Sequence, residues 1–276
     1  MSSNLDRDTV AGFGFEWERF DQSELAASDR DAVYGQYFEL FPWQALPPQA
    51  EGFDLGCGSG RWAKCVAPRV GRLHCIDASD RALSVARRNL AGLPNCVFHE
   101  ASVENIPLEP ESMDFGYSLG VLHHVPDTAA GIRSCVLRLK KGAPFLLYLY
   151  YAFDNRPPWF RLLWKSSDIL RRGISRCPHG LRYAISQGIA AFVYFPLARV
   201  ARLAERVGMG VSGFPLSYYR GLSFYTMRTD ALDRFGTKVE QRFTARQIRE
   251  MMTEAGLERI AMRDGEPFWC AVGFKK

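Results

Sequence analysis

A glycine-rich turn between an apolar strand and a helix is the part of this sequence that most directly indicates a ligand site. The stretch FDLGCGSGRW, residues 53–62, places Gly56, Gly58 and Gly60 at alternate positions directly after the predicted strand. Glycine has no Cβ, so the backbone of such a turn can approach a ligand closely at the carboxyl end of the strand. The spacing therefore predicts a binding site for an adenosine-like molecule.

Dinucleotide-dependent dehydrogenases also use a glycine-rich turn, with the pattern GxGxxG around a pyrophosphate. Counted from Gly56, that pattern needs glycine or alanine at position 61, where this sequence has Arg61. A NAD- or nucleotide-sugar-dependent oxidoreductase is therefore the weaker alternative for this turn.

Two adjacent histidines supply a second group with useful chemistry. His123 and His124 follow the predicted fourth strand, and imidazole titrates near neutral pH. We expect one of them to be structural and the other, His124 in preference, to act as a general base.

A parallel sheet is needed to bring these residues together, and the surrounding pattern predicts one. Between residues 51 and 150, apolar runs alternate with segments of helical periodicity, as successive βα units require. The predicted strands are GFDLG, RLHCID, CVFHEA, MDFGYSLG and APFLLYLY, and the predicted helices between them cover residues 59–68, 79–91 and 127–140.

The βα pattern resumes near the end of the chain. Thr244 is a candidate N-cap of a helix that Gly256 ends, and two apolar runs joined by DGEP follow. A turn of that length can join antiparallel strands but is too short for a parallel crossover. The last strand is therefore predicted to run antiparallel to its neighbours.

The stretch DLGCGSG, residues 54–60, resembles motif I of the class I S-adenosylmethionine-dependent methyltransferases, (D/E)xGxGxG. The similarity extends over about residues 51–150 and is closest to methyltransferases typified by ubiquinone and menaquinone biosynthesis. The resemblance implies a Rossmann-like α/β fold with a seven-stranded sheet in the order 3-2-1-4-5-7-6 and a helical lid inserted after strand five. It also implies S-adenosylmethionine as cofactor and O-, N- or C-methylation of a small-molecule acceptor.

The resemblance assigns a set of residues to the cofactor site. They are Asp54, Gly56, Cys57, Gly58, Gly60, Asp77, Ala78, Ser102, Val103, Leu119 and Gly120. Asp54 would lie near the amino group of the methionine part, and Asp77 would accept hydrogen bonds from the ribose hydroxyls, because a carboxylate offers paired acceptors. Ser102 stands where the family often has an aspartate, so Ser102 and Val103 would border the adenine through backbone groups.

Residues 151–243 interrupt the βα pattern and form the predicted lid. Residues 156–215 hold ten basic and two acidic side chains, although the whole chain has a net charge of only +5. Such a segment is either simply solvated or attracts an acidic substrate, anionic lipid or nucleic acid. Apolar residues recur in it at spacings of four and three: Val193, Leu197, Val200, Ala204 and Val207. This amphipathic helix is expected to pack on a core or to lie on a membrane surface.

Aromatic and basic side chains also cluster at residues 218–230. The predicted acceptor-binding residues there are Tyr218, Tyr219, Arg220 and Arg228. They suit an anionic or ring-bearing acceptor. Alternatively, Arg228 pairs internally with Asp230.

Residues 1–50 form a predicted helical segment that covers the cofactor. Phe13, Trp17 and Phe20 fall on one helical side, where such a stripe serves packing or recognition. Trp17 and Tyr34 are candidates for contact with the cofactor. The remaining predicted segments are the cofactor-binding core 51–150, the lid 151–243 and the C-terminal helix and strands 244–276.

The cysteines and the N-terminus indicate the compartment. Seven scattered cysteines without a CxxC pair predict neither a disulfide framework nor a metal site. The chain opens without an apolar leader, and its longest apolar run, residues 189–198, is roughly half of a bilayer span. We therefore expect a cytoplasmic enzyme with a small-molecule acceptor and no nucleic-acid partner. A non-catalytic protein that binds S-adenosylmethionine or nucleic acid is a further alternative, and the oligomeric state is not determined by the sequence.

Overall fold

A computed structural model describes residues 4–211 and 213–276. These residues form two compact units. Unit 1 contains residues 4–22, 30–152 and 239–276, and unit 2 contains residues 23–29 and 153–238. In sequence, unit 2 is therefore mainly one insertion into unit 1.

Unit 1 is built on a seven-stranded sheet in the order β3-β2-β1-β4-β5-β7-β6. The strands are β1 (Glu51–Leu55), β2 (Arg72–Asp77), β3 (Cys96–Glu100), β4 (Phe115–Leu119), β5 (Pro144–Tyr148), β6 (Leu257–Met262) and β7 (Cys270–Lys275). The first five strands pair in parallel, whereas β7 runs antiparallel to both β5 and β6. The predicted Rossmann-like α/β sheet, its strand order and its antiparallel last strand are confirmed.

Alternate residues of the strands enter two hydrophobic cores. Phe53 and Phe145 belong to one core, and Phe115 and Leu146 belong to the other. A sheet buried on both faces in this way needs helices on each side. The helices of this unit are α1 (Arg7–Arg19), α3 (Ala63–Val66), α4 (Asp80–Asn89), α5 (Thr128–Arg138), α10 (Ala245–Glu254) and most of α2 (Ala27–Tyr37), whose first residues belong to unit 2.

Side-chain caps set the starts of several of these helices. Asp127 accepts the Ala130 N–H at 2.8 Å to begin α5, and Thr244 forms a capping box that begins α10. Gly256 follows α10 with a φ of +94°, so the predicted cap and stop of this helix are confirmed. The helix after the glycine-rich turn is shorter than the predicted 59–68, because the turn continues through Gly60 and Pro68 lies in the 3₁₀ turn that follows α3.

Unit 2 is helical. Its helices are α6 (Pro158–Ile174), α7 (His179–Ile189), α8 (Phe195–Arg206) and α9 (Phe224–Gly236), and a π-helical turn joins α7 to α8. The resulting helix, His179–Arg206, has 28 residues and is long and apolar enough, by length and composition alone, to cross a bilayer. Its core contacts run through Tyr194 and Ala198 to Met227 and Phe235.

The apolar stripe predicted on this helix does not face the core of unit 2. Val193, Val200 and Val207 are 44%, 54% and 68% exposed. Ala198 and Ala201, on the other side of the helix, are fully buried. Of the predicted stripe only Ala204 is buried, so α8 packs through small residues and presents its large apolar residues to solvent.

Candidate functional site

The glycine-rich turn follows β1 and is tied to the end of β2. The N–H groups of Gly56 and Cys57 both donate to the Ile76 carbonyl, at 2.7 and 3.0 Å. Gly56, Gly58 and Gly60 have φ values of +75°, +54° and +76°. Only glycine adopts this left-handed conformation without strain, so the alternate spacing seen in the sequence is a conformational requirement of the turn.

Asp77, the last residue of β2, holds the turn through its carboxylate. Its Oδ2 accepts the Gly58 N–H at 2.9 Å and its Oδ1 accepts the Ser79 N–H at 2.9 Å. Burial raises the pKa of Asp77, and the N–H donors of Ser79, Gly58 and Ala78 oppose that shift. The Asp77 carbonyl accepts the Ala101 N–H at 2.9 Å, which brings the segment after β3 to the same place.

Asp54 is the most buried carboxyl group of the site, at 2% exposure. Burial raises its pKa to about 8; the neighbouring Tyr117 opposes the shift and Asp77 adds to it. Among the described residues, Asp54 Oδ2 has no hydrogen-bond partner. A buried acid of this kind is complementary to a cationic group of a ligand.

The loop after β4 lies against the glycine-rich turn. A Cβ on Gly56 would come within 2.4 Å of the Val121 side chain. Gly120 has a φ of +79°, and no atom lies within 4 Å of where its Cβ would be. Leu119 and Val103 are buried in the two cores of unit 1, so a ligand would reach them mainly along their backbone. Ser102 is half-buried.

Helix α1 packs directly on this region. A Cβ on Gly58 would lie 2.9 Å from the Trp17 indole, and a Cβ on Gly14 would lie 2.6 Å from Ser79 Oγ. The Phe13 ring is 4.9 Å from the His124 ring. The structure thus places Trp17 at the turn. It places Tyr34 elsewhere, in a buried aromatic cluster where its ring stacks on Phe38 at 4.5 Å.

The two histidines have different surroundings. His124 Nδ1 donates to the Val239 carbonyl at 2.6 Å, which leaves the lone pair of the ring on Nε2. His123 is fully buried and stacks on Tyr150 with ring centroids 3.8 Å apart. Burial, reinforced by His124 and Arg242, holds the pKa of His123 well below its usual value. His123 is therefore a poor proton acceptor.

The four predicted acceptor-binding residues lie in unit 2 and have partners within it. Arg220 donates to Glu205 at 2.9 Å, and Arg228 donates to Gln187 at 2.6 Å. The Tyr219 ring lies 5.3 Å from that of Tyr218. Burial, with Asp230 nearby, raises the pKa of Tyr219. These contacts give each of the four residues a structural role.

Sequence patterns missed three contributors to this site. Val239 is separated from His124 by 115 positions, and no sequence pattern links a carbonyl to a ring at that distance. Tyr117 lies beside Asp54, but in the sequence it is only one of the alternating residues of strand β4. Tyr150 lies just after the carboxyl end of β5, among the aromatic residues that end the APFLLYLY run. Its place near the site could therefore have been predicted from the sequence.

Taken together, the site offers a turn shaped for close backbone approach, a buried acid with no counter-charge among the described residues and a second carboxylate at the end of the neighbouring strand. These groups fit a ligand that carries an amino group and vicinal hydroxyls. An S-adenosylmethionine molecule has both.

Known proteins resemble this chain in sequence and in fold. The family described as methyltransferase domain matches residues 53–147. A ubiquinone biosynthesis O-methyltransferase of Nitrosomonas europaea is 30% identical over 168 residues, which cover 54% of this chain and 70% of that protein. The protein of the same name from Nitrosospira multiformis is 32% identical over 167 residues, or 57% and 68% of the two chains. The crystal structure of a SAM-dependent methyltransferase from Aquifex aeolicus shares the fold, with a TM-score of 0.50 at 11% identity over 95% and 96% of the two chains.

Proposed function

Because this chain belongs to the class I S-adenosylmethionine-dependent methyltransferases, we propose that it methylates a hydroxyl oxygen of a ring-bearing or lipophilic small molecule. The oxygen is suggested by the relatives named as O-methyltransferases of ubiquinone biosynthesis. A ring-bearing acceptor is further supported by the aromatic residues near His124, namely Phe13 and Tyr150.

The cofactor supplies an electrophilic methyl group on a sulfonium. In our proposal, Asp54 binds its amino group and Asp77 its ribose hydroxyls, while the turn at residues 56–60 contacts it through backbone. Ser102 and Val103 border the adenine, and Leu119 with Gly120 borders the sulfonium. Methyl transfer of this type is a direct displacement, so the protein must chiefly align the reactants and exclude water.

One observation carries the assignment of the base. The Val239 carbonyl accepts the Nδ1–H of His124 at 2.6 Å, which fixes the tautomer whose Nε2 can take a proton from an acceptor hydroxyl. His123 is proposed to support this arrangement by packing between His124 and Tyr150, with ring centroids 4.0 and 3.8 Å away.

Replacement of His124 by glutamine tests the proposal. Glutamine keeps a hydrogen-bonding group of similar reach but cannot act as the base, so turnover should fall by about 10²–10⁴ while the affinity for S-adenosylhomocysteine changes only a few-fold. His99→Gln is the matched control, because His99 contacts His74 at 2.8 Å and lies outside the proposed site.

Turnover would be followed with donor labelled in the methyl group and a panel of phenols, catechols and amines, analysed by mass spectrometry. Transfer to hydroxyl acceptors that depends on His124 supports the proposal. Exclusive transfer to amines, or His124→Gln turnover within about threefold of wild type, would contradict it.

A further inference from the structure

Helix α8 and the π-helical turn before it present a continuous apolar surface to solvent. We name this surface the α8 stripe: Phe192, Val193, Leu197, Val200, Leu203 and Val207. Phe192 is 84% exposed and Leu203 is 63% exposed. A contiguous exposed apolar surface of this kind usually marks a site that binds a protein, a ligand or a membrane.

The helix that carries the α8 stripe is packed on the rest of unit 2. Ala190, Tyr194 and Ala198 lie on the opposite side of the same helix and pack into the core of unit 2 with Met227 and Ala231. The helix is therefore held firmly with its stripe outward.

Helix α6 repeats the arrangement. Trp159, Leu162 and Ile169 are 53%, 67% and 75% exposed on one side of it. On the other side, Arg171 is buried and donates to Asp168 at 2.6 Å and to the Thr237 carbonyl at 2.8 Å. We name the exposed side, with Leu163 and Leu170, the α6 stripe.

A row of basic side chains borders each stripe. On α8, Arg199, Arg202 and Arg206 recur at spacings of three and four, which align along one line of a helix. On α6, Arg161 and Lys165 are four residues apart and lie on one line in the same way. An apolar face bordered by arginine and lysine is the composition of helices that lie in the plane of a membrane interface.

Within residues 156–215 basic side chains outnumber acidic ones ten to two, and the exposed acidic side chain, Glu205, is paired with Arg220 at 2.9 Å. Residues 156–215 contain two acidic side chains, Asp168 and Glu205, and both are paired inside unit 2. Among the described residues, Arg161, Lys165, Arg202 and Arg206 are exposed and form no salt bridge. Two copies joined through these stripes would bring like charges together, whereas an anionic lipid surface would neutralise them.

We propose that unit 2 binds the surface of an anionic lipid bilayer through the α8 stripe, with the α6 stripe as a second contact. The apolar side chains enter the boundary of the acyl chains, and Arg202 and Arg206 contact lipid phosphates. The helix lies on the bilayer and does not cross it, because Arg182 donates from within it to the Gly236 carbonyl at 3.0 Å and its alanine side stays packed on unit 2. This inference is independent of the acceptor proposed above.

Vesicle flotation of the full chain tests the proposal. Wild-type protein should float with vesicles of equimolar phosphatidylcholine and phosphatidylglycerol, bind weakly to phosphatidylcholine alone and dissociate as salt is raised. The double variant Val200→Ser/Leu203→Ser should lose about tenfold or more in vesicle affinity. Arg202→Gln/Arg206→Gln should lose a similar factor, because each basic residue near an anionic surface contributes about 1 kcal/mol.

Matched controls lie in unit 1. Leu137 is a large apolar residue that is 48% exposed, so Leu137→Ser tests loss of exposed apolar surface elsewhere. Arg88→Gln/Arg133→Gln removes two exposed charges outside unit 2. Both controls should float like wild type, and the melting temperatures of all variants should be close to that of wild type because the changed residues are exposed.

Quenching by brominated lipid tests the second contact. Trp159 on the α6 stripe should be quenched, and Trp159→Phe should remove that component. Absence of wild-type flotation, or equal flotation of stripe variants and controls, would overturn the proposal. So would light scattering that shows a dimer for wild type and a monomer for Val200→Ser/Leu203→Ser without vesicle binding, since the stripe would then join two copies. Unquenched Trp159 in floated protein would overturn the part assigned to α6.

Discussion

At the scale of single residues, the site is defined by how two carboxyl groups are held. Each carboxylate oxygen of Asp77 accepts one backbone N–H, from Gly58 and from Ser79, and keeps a lone pair for a further donor. Asp54 is buried and lacks such donors on Oδ2 among the described residues. The first group is ready to bind neutral hydroxyls, whereas the second favours a cation.

The raised pKa of Asp54 has a consequence for stability. A folded-state pKa of about 8 against about 4 in the unfolded chain means that the folded state holds a proton that the unfolded state has lost. The stability that protonated Asp54 contributes to the free energy of unfolding is fully present below about pH 4 and is lost as the pH rises toward about 8. Asp54→Asn should therefore be more stable than wild type at pH 7, by about 1–3 kcal/mol, in thermal melts.

The same variant should bind S-adenosylhomocysteine more weakly, by about tenfold or more, because a charge-assisted hydrogen bond to the amino group is lost. Ionised Asp54 is the form that binds the ligand in our proposal. Wild-type affinity should thus rise between about pH 6 and 8, and calorimetry should show that this rise is smaller in Asp54→Asn. If the wild-type affinity did not change over this pH range, or if both proteins bound the ligand equally well, Asp54 would not be a cofactor-binding residue.

At the scale of elements, α1 contributes through a close contact with α4. The N-terminal Ser79 of α4 accepts the Ala82 N–H at 3.4 Å, and α1 approaches this serine at Gly14, where a Cβ would lie 2.6 Å from the hydroxyl. The contact sets how near Trp17 lies to the glycine-rich turn.

Two glycines in α1 allow a matched test. Gly14→Ala should push α1 away from Ser79 and lower the affinity for S-adenosylhomocysteine by about tenfold, since overpacking costs about 1–3 kcal/mol. A Cβ on Gly12 meets no atom within 4 Å, so Gly12→Ala should keep the affinity and raise the melting temperature through better helix propensity. If both variants bound the ligand equally, α1 would have no part in its affinity.

At the scale of the whole molecule, unit 1 holds both ends of the insertion together. The Phe243 N–H donates to the Tyr150 carbonyl at 2.9 Å, and the Ala152 N–H donates to the Phe243 carbonyl at 2.9 Å. The segments in which the chain leaves and re-enters unit 1 are thus hydrogen-bonded to each other. Because these two ends are adjacent, a short linker can replace the insertion.

Replacement of residues 153–238 by a short glycine–serine linker should therefore leave unit 1 folded. The shortened chain should keep the circular dichroism signal of its β-sheet. It should also bind S-adenosylhomocysteine within a few-fold of wild type and no longer float with anionic vesicles. Loss of cooperative unfolding would show that the two units fold only together, and retained flotation would place the lipid contact in unit 1.

Local sequence determined the parts of this protein that depend on backbone conformation and strand periodicity. The glycines at 56, 58 and 60 need positive φ values, the caps at Asp127 and Thr244 begin helices, and the short DGEP turn gives the antiparallel last strand. Each of these follows from interactions within a few residues, so pattern and chemistry were sufficient.

Tertiary structure decided what each face and each ring contacts. The periodicity at 193–207 showed that one side of a helix is apolar, but only packing of its alanine side on α9 showed that the apolar side is exposed. The sequence offered two histidines, and the Val239 carbonyl, from a distant segment, chose the tautomer of His124. Periodicity records the composition of a surface, whereas its burial depends on segments that are remote in sequence and adjacent only in the fold.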